Sequence, residues 1–176
     1  KLGQNFLIDR TVVDRIAKAA DLEEGKRVLE IGPGIGTLTQ KLAERYRKVV
    51  AIEIDRGLIP LLKYTLSEHK NVELICGDVM KTDISEVLGD AFEQGGVSVC
   101  ANLPYYITTP ILLELLGSGL PFDCITVMIQ SEVADRLCAA PGSRDYGSVT
   151  AYLNYFGTCR KLFNVPAGKF LPPPKV

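Results

Sequence analysis

The sequence predicts a doubly wound α/β domain, a parallel sheet covered by helices on both faces. Three observations carry this. Five apolar, β-rich runs recur along the chain, the segments between them read as amphipathic helices, and a glycine-rich turn follows the first run directly. Near-continuous apolar runs mark strands buried on both faces, whereas a sheet with one wet face alternates.

The runs are RVLEI (27–31), VVAIEI (49–54), VELIC (72–76), VSVCA (97–101) and FDCITVMI (122–129). Between the first two, LTQKLAERY places Leu38, Leu42 and Ala43 on one helical face, and LIPLLKYTL is similarly amphipathic. Such alternation implies parallel pairing, and parallel sheets bind ligands beyond the carboxyl ends of their strands. The opening GQNFLID reads only as a polar pre-helical stretch. After the fifth run, SEVADRLCAA is expected to be a helix with Ser131 as N-cap, ended by the loop PGSRDYG. Val149, Tyr152, Leu153 and Phe156 fall at helical spacing, so SVTAYLNYF is a further helix, and a sixth strand is expected near CRKLFNV. FLPPPKV can be neither helix nor interior strand, because three consecutive prolines remove three donors.

With 176 residues, 47% of them hydrophobic and 23% charged, the chain suits one folded domain over 1–176. No apolar run approaches the ~20 residues of a membrane helix, and KLGQNFLID has no signal-peptide core, so neither membrane nor export is expected. Cys76, Cys100, Cys124, Cys138 and Cys159 are odd in number, lack a CxxC pair and sit mostly in apolar runs. Buried, reduced thiols in a cytoplasmic protein are expected, with no metal site and no disulfide framework. His69, in the polar stretch SEHKN, is expected to be an exposed helix-end residue. A net charge of −1 argues against holding a long nucleic acid by bulk electrostatics. The clusters Arg45, Tyr46, Arg47, Lys48 and Arg136 with Arg144 could form a basic patch, though a solvated face is the plainer reading of each.

VLEIGPGIGTLT joins the first strand to the first helix of the repeat, with glycines where the backbone must turn sharply beside a ligand. Gly32, Gly34 and Gly36, with Thr37 in the place of a third fingerprint glycine, fit a dehydrogenase poorly. Glu53 ends the second strand, where an acid accepts from ribose hydroxyls, and Asp78 follows the third, suited to an exocyclic amine of adenine. Glu53 is also readable as a strand-end charge and Asp78 as a turn former after Gly77. Their convergence at the tips of successive strands points instead to an adenosine compound.

ANLPYYITTP (101–110) follows the fourth strand and opens on the same cleft. An aromatic amine such as adenine N6 is a poor nucleophile, and two acceptors aimed at its N–H groups favour the pyramidal geometry that attacks an electrophile. The Asn102 side-chain oxygen can be one acceptor and the Leu103 carbonyl the other, since Pro104 restricts Leu103 to an extended conformation. Tyr105 offers a face for stacking, worth about 1–3 kcal/mol in comparable sites. A strand-end turn in which Asn102 bonds its own backbone and the tyrosines join the core is the competing structural reading.

GQNFLID, EIGPGIGTLT, AIEID, GD at 77–78, NLPYYITTPIL and FLPPPKV occur in this order over essentially the whole chain. Together they closely resemble the motifs of the ribosomal RNA small-subunit adenine N6,N6-dimethyltransferases, Rossmann-like class I enzymes that use S-adenosylmethionine. The resemblance implies that Asn5 and Leu7 contact the methionine end of the cofactor, Gly32 and Gly34 its loop, Glu53 the ribose, Asp78 the adenine, and Asn102 both cofactor and target. Phe170 corresponds to a ring opposing Tyr105 across a flipped adenine, which makes Asn102, Leu103, Pro104, Tyr105 and Phe170 the catalytic set. It implies as substrate two adjacent adenosines near the 3′ end of 16S RNA in a pre-30S particle, each methylated twice, by a monomeric enzyme of ribosome biogenesis. Family members continue past PPPKV with a last strand and a small helical domain, so 171–176 is expected to open the connection to an absent C-terminal portion. A sheet edge would then be bare. The rivals are a large-subunit RNA adenine methyltransferase conferring antibiotic resistance, a noncatalytic RNA-binding assembly factor on the same scaffold, and, more distantly, an NAD-dependent oxidoreductase.

Overall fold

The computed structural model describes residues 5–20, 26–93, 96–104 and 106–174. Its framework is a five-stranded parallel sheet made of β2 (Arg27–Ile31), β3 (Lys48–Glu53), β4 (Val72–Cys76), β5 (Val97–Asn102) and β6 (Phe122–Met128). These are the five predicted runs, with ends moved by a residue. The order is β4-β3-β2-β5-β6, so the chain reverses its direction of travel between β2 and β5. A parallel sheet opens a crevice at the carboxyl ends of the strands where that reversal occurs.

Both faces of the central strands β2, β3 and β5 are covered, as their apolar runs demand. On one face Val28, Val49 and Cys100 pack under α1 (Arg10–Ala20) and α2 (Thr37–Ala43), through Val13, Ile16, Ala17, Leu38 and Leu42. On the other, Leu29, Val50, Ile52, Val97 and Val99 meet α4 (Ile84–Leu88) and α5 (Thr108–Gly117), through Ile84, Leu88, Ile111 and Leu115. The alternation of side-chain direction along each strand is what divides these sets. The helix α3 (Ile59–Thr65) buries Leu62 and is tied to α2 by Gln40 Nε2, which donates to the Thr65 carbonyl at 3.1 Å. Among the described residues no helix is long and apolar enough to cross a membrane.

Several expectations need correction. The predicted helices near 131–140 and 148–156 form as α6 (Ser131–Leu137) and α7 (Ser148–Phe156), but Gln130 and not Ser131 is the N-cap of α6. Ser131 is already helical, and its hydroxyl accepts instead from Lys161 Nζ at 2.9 Å. The expected sixth strand near CRKLFNV is absent, and 158–166 is irregular. Phe163 and Val165 do pack inward on the α1 side, with Arg15 Cζ 3.9 Å from the Phe163 ring centroid. Alternation thus supplies a buried face, but no described strand lies alongside to complete a hydrogen-bonded ladder. The outer edge of β6 has no partner strand among the described residues.

The thiols are also less uniform than expected. Cys100 is buried, Cys76 is exposed, and Cys124, Cys138 and Cys159 lie between, all of them free. Cys138 and Cys159 approach to 3.1 Å between sulfurs, and burial, reinforced by Cys138, pushes the Cys159 thiol up to about 12. His69 is half-buried after α3, its N–H bonded to the Leu66 carbonyl at 3.0 Å.

Candidate active site

The tips of the central strands carry the site. β2 runs into the glycine loop, where Gly32, Gly34 and Gly36 have φ of 71°, 60° and 85°, a region that side chains with a Cβ disfavour. Gly32 is anchored by its N–H to the Ile52 carbonyl at 3.0 Å, and a Cβ placed on it would stand 3.8 Å from the Asn102 carbonyl oxygen. A Cβ on Gly34 would lie 3.1 Å from the ring of Phe6. The loop is therefore pressed between β5 and the opening segment of the chain.

Glu53 ends β3 and is only 3% exposed. Its Oε2 accepts the Gly34 N–H at 3.0 Å and its Oε1 the Asp55 N–H at 2.8 Å, so the carboxylate fixes the loop in place. A carboxylate has about four acceptor positions, so these two bonds leave capacity for a diol. Asp78 follows β4 and caps the short 3₁₀ turn Val79–Lys81, with Oδ1 accepting from Met80 N–H at 3.0 Å. The turn-forming role and the cleft position coexist in this residue.

Asn102 is the last residue of β5, aligned with Met128 of β6. Beyond it, Leu103 is buried and its N–H donates to the Met128 carbonyl at 3.1 Å. The first turn of α5 closes on the carbonyl of Pro104, which accepts from Ile107 N–H at 3.2 Å and Thr108 Oγ1 at 3.0 Å. Among the described residues, the bonds of this turn fall on the Pro104 carbonyl. Tyr105 lies outside the described residues, while Tyr106 is 57% exposed, so the second tyrosine is not a core residue.

The opening segment and the proline-rich end meet at the same place. β1 (Phe6–Leu7) pairs antiparallel with β7 (Phe170–Leu171), in register Phe6 with Leu171 and Leu7 with Phe170. One cleft of about 1600 Å³ is lined by Asn5, Leu7, Gly32, Gly34, Glu53 and Asp78, and equally by Asn102, Leu103, Pro104 and Phe170. Every predicted site residue within the described parts of the chain thus borders a single cavity.

One lining residue escaped the sequence reading. Glu30, in the middle of β2, is 1% exposed and its Oε2 has no hydrogen-bond partner among the described residues. Burial pushes its carboxyl up to about 8; the Thr39 hydroxyl pulls the other way without reaching hydrogen-bond geometry, and the Glu53 carboxylate adds to the rise. The signal was present as a lone acid inside the apolar run RVLEI. Among the described residues, no three His, Cys, Asp or Glu side chains converge to hold a metal ion.

Comparison with known proteins places the whole chain in one family. The family model described as ribosomal RNA adenine dimethylase matches residues 1–176. The ribosomal RNA small subunit methyltransferase A of Alkaliphilus metalliredigens is 51% identical over 99% of this chain and 61% of its own length. The protein of that name from Clostridioides difficile is 47% identical with the same two coverages. Among solved structures, a dimethyladenosine transferase from Plasmodium falciparum superposes with a TM-score of 0.83 at 34% identity, covering 97% of this chain and 59% of that one. The 23S rRNA methyltransferase ErmE gives 0.83 at 31% identity, covering 98% and 66%. The chain thus spans about three-fifths of the length of the curated relatives it matches. With the family model matched along its whole length and a relative 51% identical over 99% of it, the chain belongs to the ribosomal RNA adenine dimethylase family.

Proposed function

We propose that this chain is the catalytic domain, 1–176, of an enzyme that methylates adenine N6 of small-subunit ribosomal RNA, with S-adenosylmethionine as donor and S-adenosylhomocysteine as coproduct. Its substrate is a pair of adjacent adenosines near the 3′ end of 16S RNA in a pre-30S particle, each methylated twice, in the cytoplasm and by a single enzyme chain. The observation that carries this reading is the single cleft shared by Glu53 and Asn102.

The residues present fit the donor. Glu53 supplies acceptors for a ribose diol, Asp78 one for an adenine amine, and the glycine loop a backbone surface with no side chain in the way. Asn5 and Leu7 border the end of the cleft assigned to the amino-acid part. When bound, S-adenosylmethionine supplies an electrophilic methyl group on a sulfonium centre. The Asn102 amide oxygen and the Leu103 carbonyl accept from the target N6 amine, orienting its lone pair along the line of transfer. Tyr105 and Phe170 hold the extruded base from its two faces. No side-chain base is required, because the alkylated amine on a purine is acidic enough to release its proton to water.

Asn102→Ala in the complete protein is expected to leave cofactor affinity within a few-fold and to abolish methyl transfer to pre-30S particles. Calorimetric titration with S-adenosylmethionine reads the first and transfer of labelled methyl the second. Undiminished transfer would remove Asn102 from the mechanism. Labelling of 50S but not 30S precursors would move the enzyme to the large subunit, and cofactor-independent function in assembly would favour a noncatalytic factor.

A further inference from the structure

The described chain begins and ends in contact with itself, and the contact has more parts than a two-residue ladder needs. Beyond the pairing of Phe6–Leu7 with Phe170–Leu171, the Ile8 N–H donates to the Lys169 carbonyl at 3.0 Å. The Lys169 ammonium then donates to Asp9 Oδ2, closing an ion pair between residues 160 positions apart. Asp9 is itself held from the other side. Its Oδ1 accepts the N–H groups of Thr11 at 3.0 Å and Val12 at 3.1 Å, at the first turn of α1. Lys169 first, and then the Thr11 hydroxyl and the Val12 N–H, which both donate to this carboxyl, hold it well below the usual carboxylate range, so it stays charged throughout physiological pH.

The neighbours of this ladder give the ion pair its meaning. Phe6 lies against Gly34 of the glycine loop, Leu7 is buried, and Phe170 stands in the cleft wall. The segment that brings Asn5 and Leu7 to the donor end of the cleft is therefore joined to the segment that brings Phe170 to the target end. A displacement of one drags the other. An ion pair on a partly exposed surface adds little to global stability, but here it fixes one register between two short strands that two residues of ladder hold weakly.

We propose that Asp9 and Lys169 form a latch that positions the Phe170 ring relative to the methyl-donor end of the cleft, and that they act as positioning residues for methyl transfer. The inference rests on the reading under Proposed function, in which Phe170 faces the target base. Misplacing a reacting group by about 1 Å costs up to about 100-fold in rate, so the effect belongs in turnover and not in cofactor binding.

The test compares the complete wild-type protein with Lys169→Met and Lys169→Arg. Lys169→Met is expected to lower kcat on pre-30S particles by about 10- to 100-fold, with S-adenosylmethionine affinity by calorimetry within about 2-fold and an unchanged thermal midpoint. Lys169→Arg restores the charge and is expected to recover most of the rate. Protection of the Ile8 amide from hydrogen exchange is expected to fall in the Met variant and return in the Arg variant. Wild-type kcat in Lys169→Met overturns the latch, as does a loss that follows the thermal midpoint or the cofactor affinity, because that is general destabilisation. A wild-type protein inert on pre-30S particles overturns the functional reading itself, and the latch with it. An active wild type with an equally active Met variant overturns the latch alone.

Discussion

Replacing Glu30 with Gln tests a buried carboxyl of the cleft whose charge no described residue compensates. Glu30 lies at the centre of β2 between Ala51 of β3 and Cys100 of β5. The groups facing it are the Thr39 hydroxyl from α2, the Glu53 carboxylate from β3 and the Cys100 thiol from β5, none of which is a cation. Burial dominates, and the carboxyl moves from its ordinary 4.5 to about 8. Between those values the folded ligand-free protein keeps a proton that the unfolded chain has released, so stability falls as pH rises through that window and levels off above it. At about 1.4 kcal/mol per pH unit the whole window amounts to a ceiling of about 5 kcal/mol, and the interval from pH 6 to 8 to about 2–3 kcal/mol. Gln is neutral at both values and nearly isosteric. Urea unfolding of the complete protein at pH 6 and pH 8 is therefore expected to show a wild-type midpoint falling by about 1 M relative to that of Glu30→Gln, for an m-value of about 2–3 kcal/mol/M. Taking the difference between the two proteins removes the contributions of the titrating groups that do not interact with Glu30. Midpoints that run parallel for the two proteins from pH 5 to pH 8.5 would refute the claim that Glu30 is held neutral.

Two further substitutions test the packing that builds the site. Gly34→Ala places a Cβ at φ 60° and 3.1 Å from the Phe6 ring, so a destabilisation of about 1–2 kcal/mol and a loss of more than tenfold in S-adenosylmethionine affinity are expected by denaturation and calorimetry. Affinity within 2-fold of wild type would mean that the loop does not approach the donor. Tyr46→Phe removes the hydroxyl that donates to the Ala20 carbonyl at the end of α1, and because that side chain is 3% exposed the cost in urea unfolding is expected to be about 1–2 kcal/mol, with cofactor affinity unchanged.

The sheet was legible because its signal is local. The central strands β3 and β5 come from runs, VVAIEI and VSVCA, that are largely apolar on both faces, and the finished sheet buries Val49 to Glu53 without a break. Ser131 misled for an equally local reason, since a Ser before an apolar periodic stretch is the usual N-cap sign. What the sequence does not carry is that Lys161, 30 residues on, engages its hydroxyl. CRKLFNV failed differently. Phe163 and Val165 do face inward, but a strand also requires a neighbour, and a neighbour is not a property of the segment. The thiols of Cys124, Cys138 and Cys159 line the β6 side of the molecule, where the described residues give only partial cover.

The site divides along the same line. Gly32, Glu53, Asp78 and Asn102 were readable by position alone, because a residue at the carboxyl end of a parallel strand opens on the crevice whatever the rest of the chain does. Asn5, Leu7 and Phe170 were not readable in that way. They reach the cleft only through the antiparallel pairing of Phe6–Leu7 with Phe170–Leu171, whose partners lie more than 160 residues apart and whose two-residue strands leave no periodic trace. Motif resemblance supplied those three residues, and the ladder gives the physical reason for their place. A cleft founded on four strand tips therefore has one wall fixed by local sequence and a second fixed by a long-range closure. Substitutions at Gly32, Glu53 and Asp78 in the first wall are expected to alter what is bound, and substitutions at Asn102 and in the closure, Asp9 and Lys169 included, how well the bound groups are aligned.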